Sequence, residues 1–104
     1  MNAIQFIKDH GVEKARECIE EANAYGGFWV NAKTLELFNQ IPLYDAVSIP
    51  ELSRLVESVE LVKEHYTLDR AIDYANSVYT APEIKVCLLD AIADYKSIYG
   101  GEHV

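Results

Sequence analysis

Phe6-Ile7-Lys8-Asp9-His10-Gly11-Val12-Glu13-Lys14-Ala15 returns, with one residue inserted, as Leu61-Val62-Lys63-Glu64-His65-Tyr66-Thr67-Leu68-Asp69-Arg70-Ala71. In each copy two apolar residues, a Lys, an acid and a His precede a break. An apolar residue, an acid, a base and an Ala then start a fresh helical pattern. Cationic side chains suit the carbonyl end of a helix and acids suit its amide end, so each copy reads as helix, corner, helix. Two copies are too few for a solenoid, which needs at least three units to bury its faces. The repeat therefore predicts helical hairpins within one small domain, residues 1–104, and a mainly α fold of about five to six helices.

Working outward, Asn2 and Gln5 have the spacing of a capping box, which predicts a first helix over 2–10 with Ile4 and Ile7 facing inward. Gly11 ends it, because glycine tolerates the left-handed backbone that closes a helix. Val12, Ala15, Ile19 and Ala22 then form one apolar stripe, completing a hairpin over 1–24. Ser48-Ile49-Pro50-Glu51 and Thr80-Ala81-Pro82-Glu83 each combine a hydroxyl cap, a proline and a Glu, and each predicts a helix start. The three-helix segment over 50–99 has Leu52, Leu55, Val56, Val59 and Val62 on its first inner face. Leu68, Ala71, Ile72, Ala75 and Val78 follow after Thr67 as cap, then Ile84, Leu88, Ala91, Ile92, Tyr95 and Ile98. Gly100-Gly101 stops the last helix and leaves a tail over 100–104.

Residues 25–49 differ in texture and read as an irregular or β-ribbon insert. Tyr25-Gly26-Gly27-Phe28-Trp29-Val30 joins a glycine turn to a β-prone run, and Asp45-Ala46-Val47-Ser48-Ile49 is the later segment able to pair with it. A two-stranded ribbon around 27–30 and 45–49 is expected. Between them Lys33-Thr34-Leu35-Glu36-Leu37-Phe38 is read as one or two helical turns, closed by Asn39-Gln40-Ile41-Pro42.

The chain has 104 residues, 50% of them hydrophobic, which suffices for a core in a single domain. Its apolar runs, such as Val86-Cys87-Leu88-Leu89, are short, and no basic segment followed by a long hydrophobic stretch opens it, so neither a membrane span nor a secretory signal is expected. Cys18 and Cys87 both fall in apolar helical patterns and are expected to be buried reduced thiols, consistent with a cytoplasmic protein. Seventeen acids against nine Lys and Arg give a formal net charge of −8. Such a field repels a phosphate backbone, which argues against direct nucleic-acid binding. The acids read as a solvated surface, with an acidic face that mimics nucleic acid as the sharper alternative.

Candidate chemistry is sparse. His10 and His65 hold equivalent places beside an acid and a Lys, where a metal or a general base is conceivable. Corner chemistry accounts for both copies, and no third ligand has a matching spacing. Glu20-Glu21, Glu57-Glu60-Glu64 and Asp90-Asp94 are carboxylates at helical spacing, alternating with Lys63, Lys85 and Lys96 as a water-facing surface does. No phosphate-binding loop, dinucleotide fingerprint, nucleophile elbow or CxxC pair occurs in the sequence, so no catalytic, cofactor or metal residue is assigned.

The aromatic residues, 11% of the chain, are the most suggestive group. Tyrosine suits interfaces because its ring is apolar and its hydroxyl wet. Tyr66, Tyr74, Tyr79, Tyr95 and Tyr99 in the C-terminal region, with Tyr25, Phe28, Trp29 and Tyr44 in the insert, are the candidate interaction residues. The competing reading is that they rim the core.

Met1-Asn2-Ala3-Ile4-Gln5-Phe6-Ile7-Lys8-Asp9-His10-Gly11-Val12-Glu13-Lys14-Ala15 and Pro50-Glu51-Leu52-Ser53-Arg54-Leu55-Val56-Glu57-Ser58-Val59-Glu60-Leu61-Val62 resemble stretches of small uncharacterised proteins of lambdoid phages and prophages of enteric bacteria. The resemblance covers about half the chain. Such relatives often carry Gly-Gly-Leu where this chain has Tyr66-Thr67-Leu68, so the second corner departs from the pattern. What the resemblance implies is an accessory protein acting inside the bacterial host; its motifs are structural and carry over no functional residue. The expectation is a non-catalytic protein-protein interaction module engaging a host or phage protein. A self-assembling dimer is the alternative, and a His/acid metal protein or enzyme the remote one.

Overall fold

A computed structural model of the chain describes residues 2–40, 45–65 and 67–100. Along them run α1 (Ala3–His10), α2 (Val12–Tyr25), β1 (Trp29–Asn31), β2 (Leu37–Phe38), β3 (Ala46–Ser48), α3 (Ile49–Glu64), α4 (Leu68–Asn76) and α5 (Pro82–Tyr99). The fold is mainly α with a small antiparallel sheet. Residues gather into two compact units, Met1–Val56 and Glu57–Val104, with the boundary falling inside α3.

In the first unit Asn2 opens α1 as expected, its Oδ1 accepting the Gln5 backbone N–H at 2.8 Å. The Gln5 amide donates forward to Asp9 Oδ1 at 2.8 Å. The inner face of α1 is Ala3, Phe6 and Ile7, with Ile4 half-buried, so it is rotated from the expected pair Ile4 and Ile7 toward the aromatic ring. Gly11 donates its N–H to the Ile7 carbonyl at 2.8 Å and turns the chain at φ +88, ψ 161. That is the mirror image of extended backbone, open in practice to glycine alone, rather than the left-handed helical form expected. It lets α2 start one residue later. α2 buries Val12, Ala15, Cys18 and Ala22, with Cys18 in the stripe and Ile19 only half-buried.

The sheet has strand order β2-β1-β3 and is antiparallel throughout. The anticipated pairing of the 27–30 and 45–49 segments is β1 with β3, Val30 lying opposite Val47. β2 is an addition: Val30 also faces Leu37, and Trp29 faces Phe38. The helical turns expected over 33–38 reduce to one turn that stops. Leu35 N–H bonds the Asn31 carbonyl at 2.8 Å, while Asn31 Oδ1 accepts the N–H groups of Lys33 and Thr34 at 2.8 and 3.0 Å. An asparagine side chain that mimics a backbone turn competes with helix propagation. Leu35 then takes φ +65, and the chain returns as a strand. Ile41 to Tyr44 lie outside the described residues.

Ser48 ends β3 and caps α3 directly, its Oγ accepting the Glu51 N–H at 3.4 Å. Ile49, Leu52, Leu55 and Val56 are buried in this half of the helix.

In the second unit α3 continues with Val59 and Val62 buried. Thr67 caps α4, Oγ1 accepting the Arg70 N–H at 3.1 Å. α4 buries Leu68, Ala71 and Ala75, but it ends at Asn76 and leaves Val78 exposed, so Val78 is not an inner position. Thr80 does not cap α5 either. Its hydroxyl donates to the Tyr74 carbonyl at 2.6 Å, serving the open end of α4, and Ala81 stands at the N-cap of α5 without a side-chain bond. Proline at the start of α5 compensates, because its missing N–H removes one orphan donor. α5 packs on α4 and buries Leu88, Ala91, Ile92, Tyr95 and Ile98, whereas Ile84 is 50% exposed. Ser58 of α3 donates to Asp94 of α5 at 2.7 Å. Among the described residues no helix is long and apolar enough to cross a membrane.

Candidate interaction surface

Ile84-Lys85-Val86-Cys87-Leu88-Leu89 makes the first turns of α5 apolar on nearly every side, whereas packing against neighbouring helices covers one side only. The outcome is an uneven burial. Leu88 is 1% exposed, yet Val86 is 60% exposed, Leu89 45%, and Cys87 is exposed as well. Leu61 and His65 approach the flank of α5 and, with Glu83, Ile84, Cys87 and Leu88, enclose an open groove of about 310 Å³. The His65 ring lies against Tyr74, centroids 5.0 Å apart. What the groove offers a ligand is apolar contact area, with one imidazole and one carboxylate among its lining groups.

The aromatic candidates divide. Tyr79 is 94% exposed and Tyr74 partly so, both beside the end of α4. Tyr95 is 4% exposed and belongs to the core, which removes it from the surface set: it follows Leu88, Ala91 and Ile92 on the buried face of α5. Tyr99 is half-buried against the Tyr95 ring, centroids 4.7 Å apart, and burial pushes its phenol above the ordinary range. In the first unit Tyr25 and Phe28 are exposed. Tyr25 edges a hollow of about 450 Å³ with Glu21, Leu35, Glu36 and Leu37, while Trp29 is half-buried in β1. Tyr44 and Tyr66 lie outside the described residues. The aliphatic residues Ile84, Val86 and Leu89 escaped the aromatic criterion. Their signal was an apolar run interrupted by Lys85 alone, which no single helix face can bury.

The two repeat histidines do different work despite equivalent positions. His10 Nε2 lies 2.6 Å from the Ala32 carbonyl, which can only accept, so that nitrogen carries the proton and ties the end of α1 to the turn after β1. Its ring also packs on Phe6 at 4.8 Å. His65 lines the groove instead. Among the described residues no three His, Cys, Asp or Glu side chains are grouped to hold a metal.

The cysteines, both free, also part company. Cys18 is buried as expected, but Cys87 is exposed because its side of α5 is left uncovered. Burial, reinforced by the nearby Glu21, pushes the Cys18 thiol up. The neutral form is thereby favoured in the folded state: the stabilisation is complete below the ordinary thiol pKa and is lost as pH climbs through the raised value. Only thiolates react with alkylating agents. A short iodoacetamide pulse at pH 8 is therefore expected to modify Cys87 alone, with two adducts appearing in denaturant; equal labelling of both in the native protein, read by peptide mass spectrometry, would contradict this burial.

Comparisons with protein-family models, with curated proteins and with solved structures found no match to the chain.

Proposed function

We propose that this chain is a non-catalytic protein-interaction module acting in the cytoplasm of a bacterial host, the accessory role implied by its resemblance to lambdoid phage and prophage proteins. The observation that supports the reading is the open apolar groove beside Leu61, Ile84 and Cys87. An apolar hollow beside exposed aliphatic side chains fits an anchor residue from a partner protein, since burial of such anchors supplies most interface energy. Acids dominate around it: Glu57, Glu64 and Glu83 are exposed, and residues 57–104 hold nine acids against four Lys and Arg. A partner segment with an apolar anchor flanked by Lys or Arg is the complement.

The test is affinity capture from enteric bacterial lysate with mass-spectrometric identification, comparing the native chain with Ile84→Asp. An acid in the first turn of a helix is tolerated, so the variant keeps its fold, which circular dichroism checks. At least one protein is expected to be retained saturably by the native chain and lost by the variant. Equal recovery with both would overturn the reading. Self-assembly, the second reading, finds its support on a different side of α5.

A further inference from the structure

Opposite its buried face, α5 carries Pro82, Val86, Leu89 and Ala93 at spacings of four, three and four, and all four are exposed. That alternation draws a narrow apolar seam along one side of a helix, the pattern that pairs two helices. With Val86 as position a, Leu89 is d, a β-branched residue followed by Leu, which favours two strands. The charges beside the seam are sorted: Lys85 at g on one edge, Glu83 and Asp90 at e on the other. Neither Lys85 nor Asp90 has an ion-pair partner among the described residues.

We propose that this outer face of α5 binds a second copy of the chain, helix parallel to helix and in register. In that arrangement Val86 meets Val86 and Leu89 meets Leu89. A g residue faces the e residue five positions later in the other helix, so Lys85 faces Asp90 of the second copy twice over, by the two-fold symmetry of the pair. The antiparallel arrangement brings the acidic edges together and forfeits both pairs. Val78 and Tyr79, in the link before Pro82, are exposed as well. The seam is short, so the dimer is a weak and concentration-dependent one. The proposal stands apart from the groove and does not depend on it.

The test is sedimentation equilibrium of the full chain at about 0.15 M salt, where screening limits repulsion between two acidic molecules to about 8 Å. The native chain is expected to dimerise with rising concentration, and Ile84→Asp to dimerise equally, which separates this proposal from the groove. Lys85→Asp and Asp90→Lys are each expected to weaken dimerisation about tenfold, and the double exchange to restore it by reversing the pair. In a Cys87→Ser background, Val86→Cys is expected to form a disulfide-linked dimer on mild oxidation, because in-register a positions lie within disulfide reach. A native chain that stays monomeric at high micromolar concentration overturns the proposal. So does a double exchange as weak as the single ones, or a dimer in which Cys at position 86 fails to cross-link. Circular dichroism of each variant ensures that a loss is read only on a folded chain.

Discussion

Phe6→Ala is expected to remove about 3–5 kcal/mol from the stability of the first unit, the usual cost of emptying a buried phenylalanine site. Phe6 is fully buried, packs against the His10 ring and shares the inner face of α1 with Ala3 and Ile7. A loss of that size is a large fraction of the roughly 5–15 kcal/mol that holds a domain together. Urea unfolding followed by the fluorescence of Trp29, the single tryptophan of the chain, reports on this unit directly. Ile4→Ala, at a half-buried site on the same helix, is expected to cost much less. A larger loss at Ile4 than at Phe6 would mean that α1 is seated on the face defined by Ile4 and Ile7.

Leu88→Ala carries the second large effect, about 2–5 kcal/mol, because it hollows the buried face of α5 where α4 packs. Four residues earlier, Ile84→Ala is expected to cost less than about 1 kcal/mol, since half of that side chain is already in water. The contrast reads the orientation of α5 about its own axis. Thermal unfolding followed by far-UV circular dichroism measures both, and a larger loss at Ile84 than at Leu88 would reverse the assigned inner and outer faces.

That contrast also shows where sequence reasoning succeeds and where it stops. The caps at Asn2, Ser48 and Thr67 were legible because each is a bond between a side chain and an N–H three residues on, complete within one stretch of chain. Thr80 has the same local signature, yet its hydroxyl binds the Tyr74 carbonyl behind it, because the end of α4 presents an acceptor at that point. β2 escaped for a related reason. Two residues, Leu37 and Phe38, have no periodicity to read, and their strand character comes from pairing with β1. In the candidate surface, Tyr74 and Tyr79 were legible as aromatic residues, but Tyr95 was drawn into the core by its place on the inner face of α5.

The repeat around His10 and His65 thus determined, by itself, two helix-corner-helix junctions with their corners at Gly11 and Thr67. Capping, dipole and glycine effects act over three or four residues and leave their mark in adjacent letters. Tertiary structure alone decided what those letters could not express. It gave His10 to a backbone carbonyl and His65 to a groove, exposed Cys87, and left Ile84 half in water although helical spacing had placed it on the inner stripe. Helical spacing marked the stripe from Leu88 to Ile98, but how far burial reaches around a helix apolar on nearly every side belongs to the neighbours that pack against it.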